Sequence, residues 1–157
     1  MATVSLSLDE IYKLANKTLL ANGCDQETAD ILSELITNAE RDGSLSHGLF
    51  RLPAYVSGLK SGKINGKQKP DIKKLTPSVI KADGKNCLAP VVLNKSIPEL
   101  VKAAKENGVA VLAIINSHHM AAMWPETEKI AEEGLVAFEC TCLLYTSPSP
   151  RDFVRSR

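Results

Sequence analysis

The sequence feature that most constrains the fold is VAVLAII, an unbroken run of seven apolar residues at Val109–Ile115. A short run of β-branched and apolar residues is typical of a strand buried on both faces of a parallel sheet. A mostly helical pattern (116–134) follows it and ends at Gly134, and LVAFECT (135–141) reads as a second buried strand. The order predicts a β-α-β unit with a parallel strand pair and a right-handed crossover.

The chain before this unit carries the signals of three helices. SLDE at Ser7–Glu10 is a capping box, and Gly23 closes the helix that it begins. Asp25 is placed to cap a second helix, which Asp42-Gly43 ends, and Pro53 is a favourable first-turn residue for a third. The apolar residues that recur at helical spacing in the first two are Leu8, Ile11, Leu14, Ala15, Leu19, Ile31, Leu32, Leu35, Ile36 and Ala39.

The middle of the chain is predicted to change character at Lys67. A polar, proline-marked connection comes first, and VIKADGKN (79–86) then reads as a short strand that enters an Asp-Gly turn. The next helix is predicted to start at Pro98, with Ser96 as its cap, and to end at Gly108. The fold class expected from these elements is α/β, with a helical N-terminal part followed by β-α-β units.

Charge and hydropathy exclude several classes of partner. The formal net charge is +1, and the last sixteen residues hold three arginines against one aspartate, which leaves −1 for residues 1–141. No basic stripe is present, so we expect no nucleic-acid partner. No apolar run is long enough to span a bilayer, and the N-terminus lacks the pattern of a signal peptide, so a cytoplasmic protein is expected.

The tail CLLYTSPSPRDFVRSR (142–157) differs from everything before it. It is rich in Ser, Pro and Arg, has no periodicity, and resembles a translated sequencing-adapter read-through at the broken end of a gene fragment. We therefore predict two parts, residues 1–141 as the evolved protein and 142–157 as a non-native tail. A natural disordered tail is the alternative.

The cysteines and histidines are the residues of this sequence that could bind a transition metal. The four cysteines contain no CxxC pair, and Cys140 and Cys142 have no second pair to complete a site, so reduced and mostly buried thiols are expected. The three histidines could bind zinc only if His47 converged with His118 and His119, and adjacent ligands strain tetrahedral geometry. We expect no metal.

The histidine pair His118-His119 lies just past the end of the strand Val109–Ile115. Ligands of α/β sheets bind outside the carboxyl ends of strands, and an imidazole can exchange a proton near neutral pH. Adjacent side chains diverge, so one of the two is expected to face a substrate. The alternative is a histidine pair with a purely structural role.

A second cluster lies in SLSHGLFRLPAYVSG. His47, Arg51 and Tyr55 are spaced four residues apart, which would place them on one face if the segment were helical throughout, although Gly48 and Pro53 interrupt it. Arg51 offers the planar donor fork that matches a carboxylate. The alternative is a solvated arginine beside a half-buried tyrosine.

Two segments that contain these clusters, AERDGSLSHGLFRLPAYVSGLKSGKIN and AAKENGVAVLAIINSHHMAAMWPETEKIAEEGLVAF, resemble the malate/L-lactate dehydrogenase family, which also contains ureidoglycolate dehydrogenases. The resemblance implies a non-Rossmann α/β oxidoreductase fold, in agreement with the absence of GxGxxG, GxxxxGK[ST] and GxSxG motifs. It further implies a homodimer that moves hydride between NAD or NADP and C2 of a small 2-hydroxy or 2-oxo acid.

By this resemblance His119 is the proton donor or acceptor, Arg51 binds the substrate carboxylate, and His47 lines the pocket with Ser46 and Tyr55 in support. The sequence departs from the common family pattern at Met120-Ala121, where Phe-Gly is usual, and family chains are much longer. We therefore expect a truncated chain, inactive by itself, whose cofactor site lies mostly in a missing C-terminal part. A non-catalytic binding module and a histidine-dependent metal hydrolase are the competing hypotheses.

Overall fold

The computed structural model describes residues 4–118 and 121–141. Its elements are α1 (Leu8–Ala21), α2 (Gln26–Arg41), a 3-10 turn (Leu49–Arg51), α3 (Leu52–Lys60), β1 (Asp71–Thr76), β2 (Val79–Asp83), α4 (Ala89–Asn107), β3 (Val111–Ile115) and α5 (Trp124–Glu132). The three strands form one sheet in the order β1-β2-β3, with β1 antiparallel and β3 parallel to β2. The predicted α/β class is confirmed.

The first three helices begin and end close to the predicted residues. The Ser7 hydroxyl accepts from the backbone N–H of Glu10 at 3.3 Å, and the Glu10 carboxylate accepts from the N–H of Ser7 at 2.8 Å, so the capping box is formed. The carboxylate of Asp25 accepts from the N–H of Thr28 at 2.9 Å and caps α2. Pro53 lies in the first turn of α3.

The hydrophobic core lies between these helices, β2 and the start of α4. Its members come from all of these elements because each contributes one apolar stripe or face. They include Ala15, Leu19, Leu32, Ile36, Leu52, Tyr55, Ala82, Leu88, Val91 and Val92. None of the described helices is long and apolar enough to cross a membrane.

Strand β1 was missed because the polar connection predicted after Lys67 contains it. Residues of β1 are half-buried or exposed, and its sequence DIKKLT has only two apolar residues. The strand lies at the sheet edge and pairs with β2 from Asp71 opposite Asp83 to Thr76 opposite Val79. β1 forms because its backbone pairs with that of β2, and not because its own sequence has a strong apolar pattern. The local sequence does not indicate such pairing.

The predicted start of α4 at Pro98 is wrong, since the helix begins nine residues earlier at Ala89. Pro98 lies within the helix, and the predicted cap Ser96 is a buried interior residue. Val91 and Val92, near the start of α4, are fully buried in the core. Their packing keeps the residues before Pro98 helical, although a proline ordinarily marks the first turn of a helix. The observed parallel β-α-β unit is therefore β2-α4-β3, one unit earlier than predicted.

The strand predicted at 135–141 is also wrong. Those residues have no regular secondary structure, and Val136 and Phe138 are 100% and 92% exposed. A strand needs a hydrogen-bonding partner, and within the described residues β3 pairs only with β2. For the same reason β3 is not buried on both faces as predicted, because Val111 is 55% exposed.

Three cysteines are described, and all are free thiols. Cys24 and Cys87 are buried, as expected, whereas Cys140 is exposed. Cys142 lies outside the described residues.

Candidate functional site

The loop that follows α2 holds His47 by its own side chains. The loop turns at Ser44, whose carbonyl accepts from the N–H of His47 at 2.8 Å. This turn brings two hydroxyls to Nδ1 of the imidazole, Ser44 Oγ at 3.2 Å and Ser46 Oγ at 3.0 Å. The Nδ1 edge of the His47 ring is therefore hydrogen-bonded within the loop, by Ser44 and Ser46.

Gly48 lies against the side chain of Glu40 from α2. The Glu40 carboxylate accepts from the N–H of Leu49 at 2.7 Å, and a Cβ on Gly48 would overlap that carboxylate. The 3-10 turn begins at this contact, and α3 begins only at Leu52. His47, Arg51 and Tyr55 are thus not on one continuous helix, as Gly48 and Pro53 indicated.

Arg51 and Tyr55 share the start of α3 and carry unmet hydrogen-bonding capacity. Tyr55 is fully buried, and within the described structure neither its hydroxyl nor the buried Nε of Arg51 has a hydrogen-bond partner. Burial raises the pKa of Tyr55 to about 12, with the positive charge of Arg51 opposing and the negative charge of Glu126 adding to the rise. Tyr55 is therefore a neutral phenol near pH 7 and can act as a hydrogen-bond donor.

The first turn of α5 contacts this cluster from the other half of the chain. The ring centroids of Trp124 and His47 are 6.1 Å apart at an interplanar angle of 78°, and the indole N–H donates to the Asp42 carboxylate at 3.3 Å. Glu126 is only 7% exposed. Glu126 is not among the predicted site residues, although an acid in the first turn of a helix after a Trp-Pro pair is a usable signal.

The strand-end residues before the histidine pair are held in a strained corner. Asn116, Lys85 and Asn86 all have positive φ, and the Asp83 carboxylate accepts from the N–H of Lys85 at 2.9 Å and from the Asn116 amide at 3.1 Å. Those two bonds, the backbone bond first, lower the pKa of Asp83. Such strain persists only where surrounding contacts fix it, so the exit of β3 has a defined direction.

Of the histidine pair His118-His119, only His118 is described. The backbone N–H of His118 donates to the Cys87 carbonyl at 3.0 Å, and the His118 carbonyl accepts from the backbone N–H of Ala89 at 2.9 Å. These two bonds place His118 beside the start of α4. His119 lies outside the described residues, so its approach to Arg51 stays a prediction. Within residues 4–118 and 121–141, no three His, Cys, Asp or Glu side chains converge as metal ligands.

Comparison with known proteins identifies the family of this chain. Residues 6–147 match the sequence profile of malate/L-lactate dehydrogenase. The chain therefore belongs to the malate/L-lactate dehydrogenase family, as its sequence predicted.

Individual relatives show how much of a family protein this chain represents. It is 40% identical to the Delta(1)-pyrroline-2-carboxylate/Delta(1)-piperideine-2-carboxylate reductase of Pseudomonas syringae pv. tomato, over 86% of this chain and 39% of that protein. It is 35% identical to the (2R)-3-sulfolactate dehydrogenase (NADP(+)) of Chromohalobacter salexigens, over 84% of this chain and 39% of the relative. The chain thus spans about two fifths of the length of these relatives.

Solved structures of the family share the fold. The Pseudomonas syringae delta1-piperideine-2-carboxylate reductase superposes with a TM-score of 0.80 at 39% identity, over 84% of this chain and 40% of that one. The malate dehydrogenase of Entamoeba histolytica superposes with a TM-score of 0.79 at 28% identity, over 85% of this chain and 37% of the other.

The described residues do not by themselves form a dinucleotide site. One cavity, between α2, α4 and α5, has a volume of about 30 Å³, which suits little more than a water molecule. A groove of about 290 Å³ is lined by Leu14, Thr18, Leu49, Leu52, Pro53 and Val56. The cavity is too small for a pyrophosphate, and the side chains that line the groove include no cation to pair with one.

Proposed function

We propose that this chain is the substrate-binding portion of an oxidoreductase that transfers hydride between NAD or NADP and C2 of a small 2-hydroxy or 2-oxo acid. The observation that carries the proposal is the pair of unmet donors, Arg51 Nε and the Tyr55 hydroxyl, within the described cluster. Buried donors without partners are rare because each costs free energy, so their presence favours a ligand that accepts from them.

A substrate carboxylate is the acceptor that these donors fit. The guanidinium of Arg51 can form paired charge-assisted bonds with it, and Tyr55 remains protonated and able to donate because its pKa is raised to about 12. Hydrogen bonds to charged groups contribute about 1.5–3 kcal/mol each. Holding the carboxylate in place also holds C2, the carbon at which hydride is exchanged when the nicotinamide is bound.

Proton transfer at the C2 oxygen is assigned to His119. Reduction of a 2-oxo acid requires a proton on that oxygen, and oxidation of the alcohol requires its removal, which suits an imidazole near neutral pH. His47 lines the same pocket, with its Nδ1 edge turned to Ser44 and Ser46. The Trp124–His47 contact supports this assignment, because it places the helix that follows the histidine pair against the half of the chain that carries Arg51.

A cyclic 2-imino acid is the second candidate substrate. The relative from Pseudomonas syringae that is 40% identical is named for pyrroline- and piperideine-2-carboxylate. Such an acid has the same carboxylate next to a trigonal C2, with nitrogen in place of oxygen, so the roles of Arg51 and His119 would be unchanged. We further propose that the parent protein acts in the cytoplasm as a homodimer.

Turnover by the parent protein that contains this chain tests the proposal. NAD(P)H oxidation would be followed with pyruvate, oxaloacetate and Δ1-pyrroline-2-carboxylate. Arg51→Ala is expected to lower kcat/KM by about 100-fold or more, because it removes the proposed charge partner of the substrate carboxylate. Lys60→Ala, at the exposed end of α3, is the matched control and should leave kcat/KM unchanged.

The roles of the two predicted site residues separate in a binding measurement. His119→Ala should abolish turnover and leave carboxylate binding intact, whereas Arg51→Ala should weaken binding itself. Unchanged turnover in His119→Ala would remove that residue from the mechanism. No turnover of any of the three acids by the wild-type parent would favour the non-catalytic binding module instead.

A further inference from the structure

We infer that Trp124 is a positioning residue that holds the His47 imidazole in the site and joins it to α5. The inference rests on the proposed function for its meaning in catalysis. Its structural basis is a set of contacts that join the end of α2, the 44–48 loop and the start of α5.

The contacts form a continuous series of named groups. Arg41 donates to the Asp42 carboxylate through Nε at 2.8 Å and Nη2 at 3.2 Å. Asp42 in turn accepts from the indole N–H of Trp124 at 3.3 Å, and the Trp124 ring meets that of His47 at 6.1 Å and 78°. The indole is thus held at its N–H, while its ring system contacts the imidazole.

The two sides of the imidazole are constrained by different parts of the chain. The Nδ1 edge is met by the hydroxyls of Ser44 and Ser46, which belong to the same loop as His47. Trp124 supplies a contact from outside that loop. A T-shaped aromatic pair favours the held orientation by about 3- to 10-fold over a free one, so Trp124 is placed to select one ring position of His47.

The place of Trp124 in the chain explains why this contact bears on chemistry. Trp124 opens α5, and the histidine pair His118-His119 lies between the end of β3 and that helix. Docking Trp124 on Asp42 and His47 therefore fixes one end of the segment that carries the proposed proton-transfer residue. Without Trp124, the helical half and the strand-end segment would lose a described contact that aligns them.

Fluorescence tests the contact directly, because Trp124 is the only tryptophan in the chain. An imidazolium in contact with an indole quenches its emission, and histidine titrates between about pH 5 and 8. The charged residues on the elements that adjoin the 44–48 loop include Glu40, Arg41 and Asp42 at the end of α2, Arg51 before α3, and Glu126 and Glu128 on α5.

We expect the emission of the 157-residue chain to be lower at pH 5 than at pH 8. His47→Gln should abolish that difference in emission, and His118→Gln, the matched control, should retain it. Persistence of the full difference in His47→Gln would overturn the inference. A loss of the difference only in His118→Gln would do the same.

Turnover of the parent protein tests the consequence for catalysis. Trp124→Leu is expected to lower kcat by about 10-fold, with less than about 3-fold change in KM, because Arg51 still binds the carboxylate. Trp124→Phe keeps a ring against His47 and should recover part of kcat. A merely structural role predicts a lower Tm with an unchanged pH profile of kcat, and that result would refute positioning. Absence of turnover in the wild type would refute the proposed function, while the fluorescence titration would still decide the contact.

Discussion

Replacing Tyr55 by phenylalanine separates the stability of this protein from its proposed ligand binding. The Tyr55 ring is fully buried, and its hydroxyl has no hydrogen-bond partner in the described structure. Burying an unpaired hydroxyl costs about 1–3 kcal/mol, whereas the ring packing is the same for both side chains. Tyr55→Phe is therefore expected to raise the free energy of unfolding by about 1 kcal/mol, and Tm by about 2–4 °C for a chain of this size.

The same substitution is expected to weaken ligand binding. If the hydroxyl donates to a substrate carboxylate, its loss removes a hydrogen bond to a charged group, which is about 1.5–3 kcal/mol or at least 10-fold in affinity. Stability and affinity should thus move in opposite directions. Such opposite changes are characteristic of a binding-site residue whose hydrogen-bond donor is satisfied only when the ligand is bound.

Urea unfolding followed by circular dichroism measures the stability change, and Tyr12→Phe is the matched control. The Tyr12 hydroxyl donates to the Asp30 carboxylate at 3.0 Å, so its removal should lower the free energy of unfolding by about 1 kcal/mol. A similar loss in Tyr55→Phe would show that the Tyr55 hydroxyl is hydrogen-bonded in the folded protein. The argument from unmet donors would then fail.

Three further predictions concern the thiols, the acid limb of stability and one close contact. Burial first, and then the nearby Asp25 charge, raise the pKa of Cys24 to about 11, so iodoacetamide at pH 8 should modify the exposed Cys140 and spare Cys24 until unfolding; equal labelling in the native protein, read by mass spectrometry, would contradict this. Hydrogen bonding from Lys69 is the main cause that lowers the pKa of Glu27 in the folded protein. The ionised Glu27 therefore stabilises the fold fully above the ordinary pKa of 4.5, and this stabilisation is lost as the pH falls through the lower pKa of the folded state. Glu27→Gln should therefore reduce the fall of the urea unfolding midpoint at acidic pH. An unchanged dependence of the midpoint on pH would show that the ion pair between Glu27 and Lys69 does not stabilise the protein. A Cβ on Gly84 would lie 2.9 Å from a backbone carbonyl oxygen at the end of β3, so Gly84→Ala should cost about 1–3 kcal/mol, and an unchanged Tm would show that this corner can relax.

Prediction from sequence was most accurate where a few neighbouring residues decide the structure. The caps at Ser7 and Asp25, the stop at Gly43 and the helix start at Pro53 all depend on contacts within one or two turns. The family was also recognisable from short motifs, and the profile match over residues 6–147 confirmed it.

Prediction failed where packing or strand pairing outweighed local signals. Pro98 reads as a helix start, yet the buried residues of the preceding turns extend α4 back to Ala89. β1 has a weak apolar pattern and exists because β2 offers backbone partners, whereas LVAFECT (135–141) has a strong pattern and no partner strand among the described residues.

The candidate site divides along the same line. Its residue types and spacing, with Ser46, His47 and Arg51 in one short segment, follow from sequence alone, because the loop that holds His47 is built from its own neighbours. Only the tertiary structure decided that Trp124 would meet His47 and that the Tyr55 hydroxyl would be buried with no hydrogen-bond partner among residues 4–118 and 121–141. Those outcomes depend on contacts between residues far apart in the chain, namely Trp124 of α5 with the loop after α2, and Tyr55 with the core that α1, α2 and α4 share. No local pattern encodes such contacts.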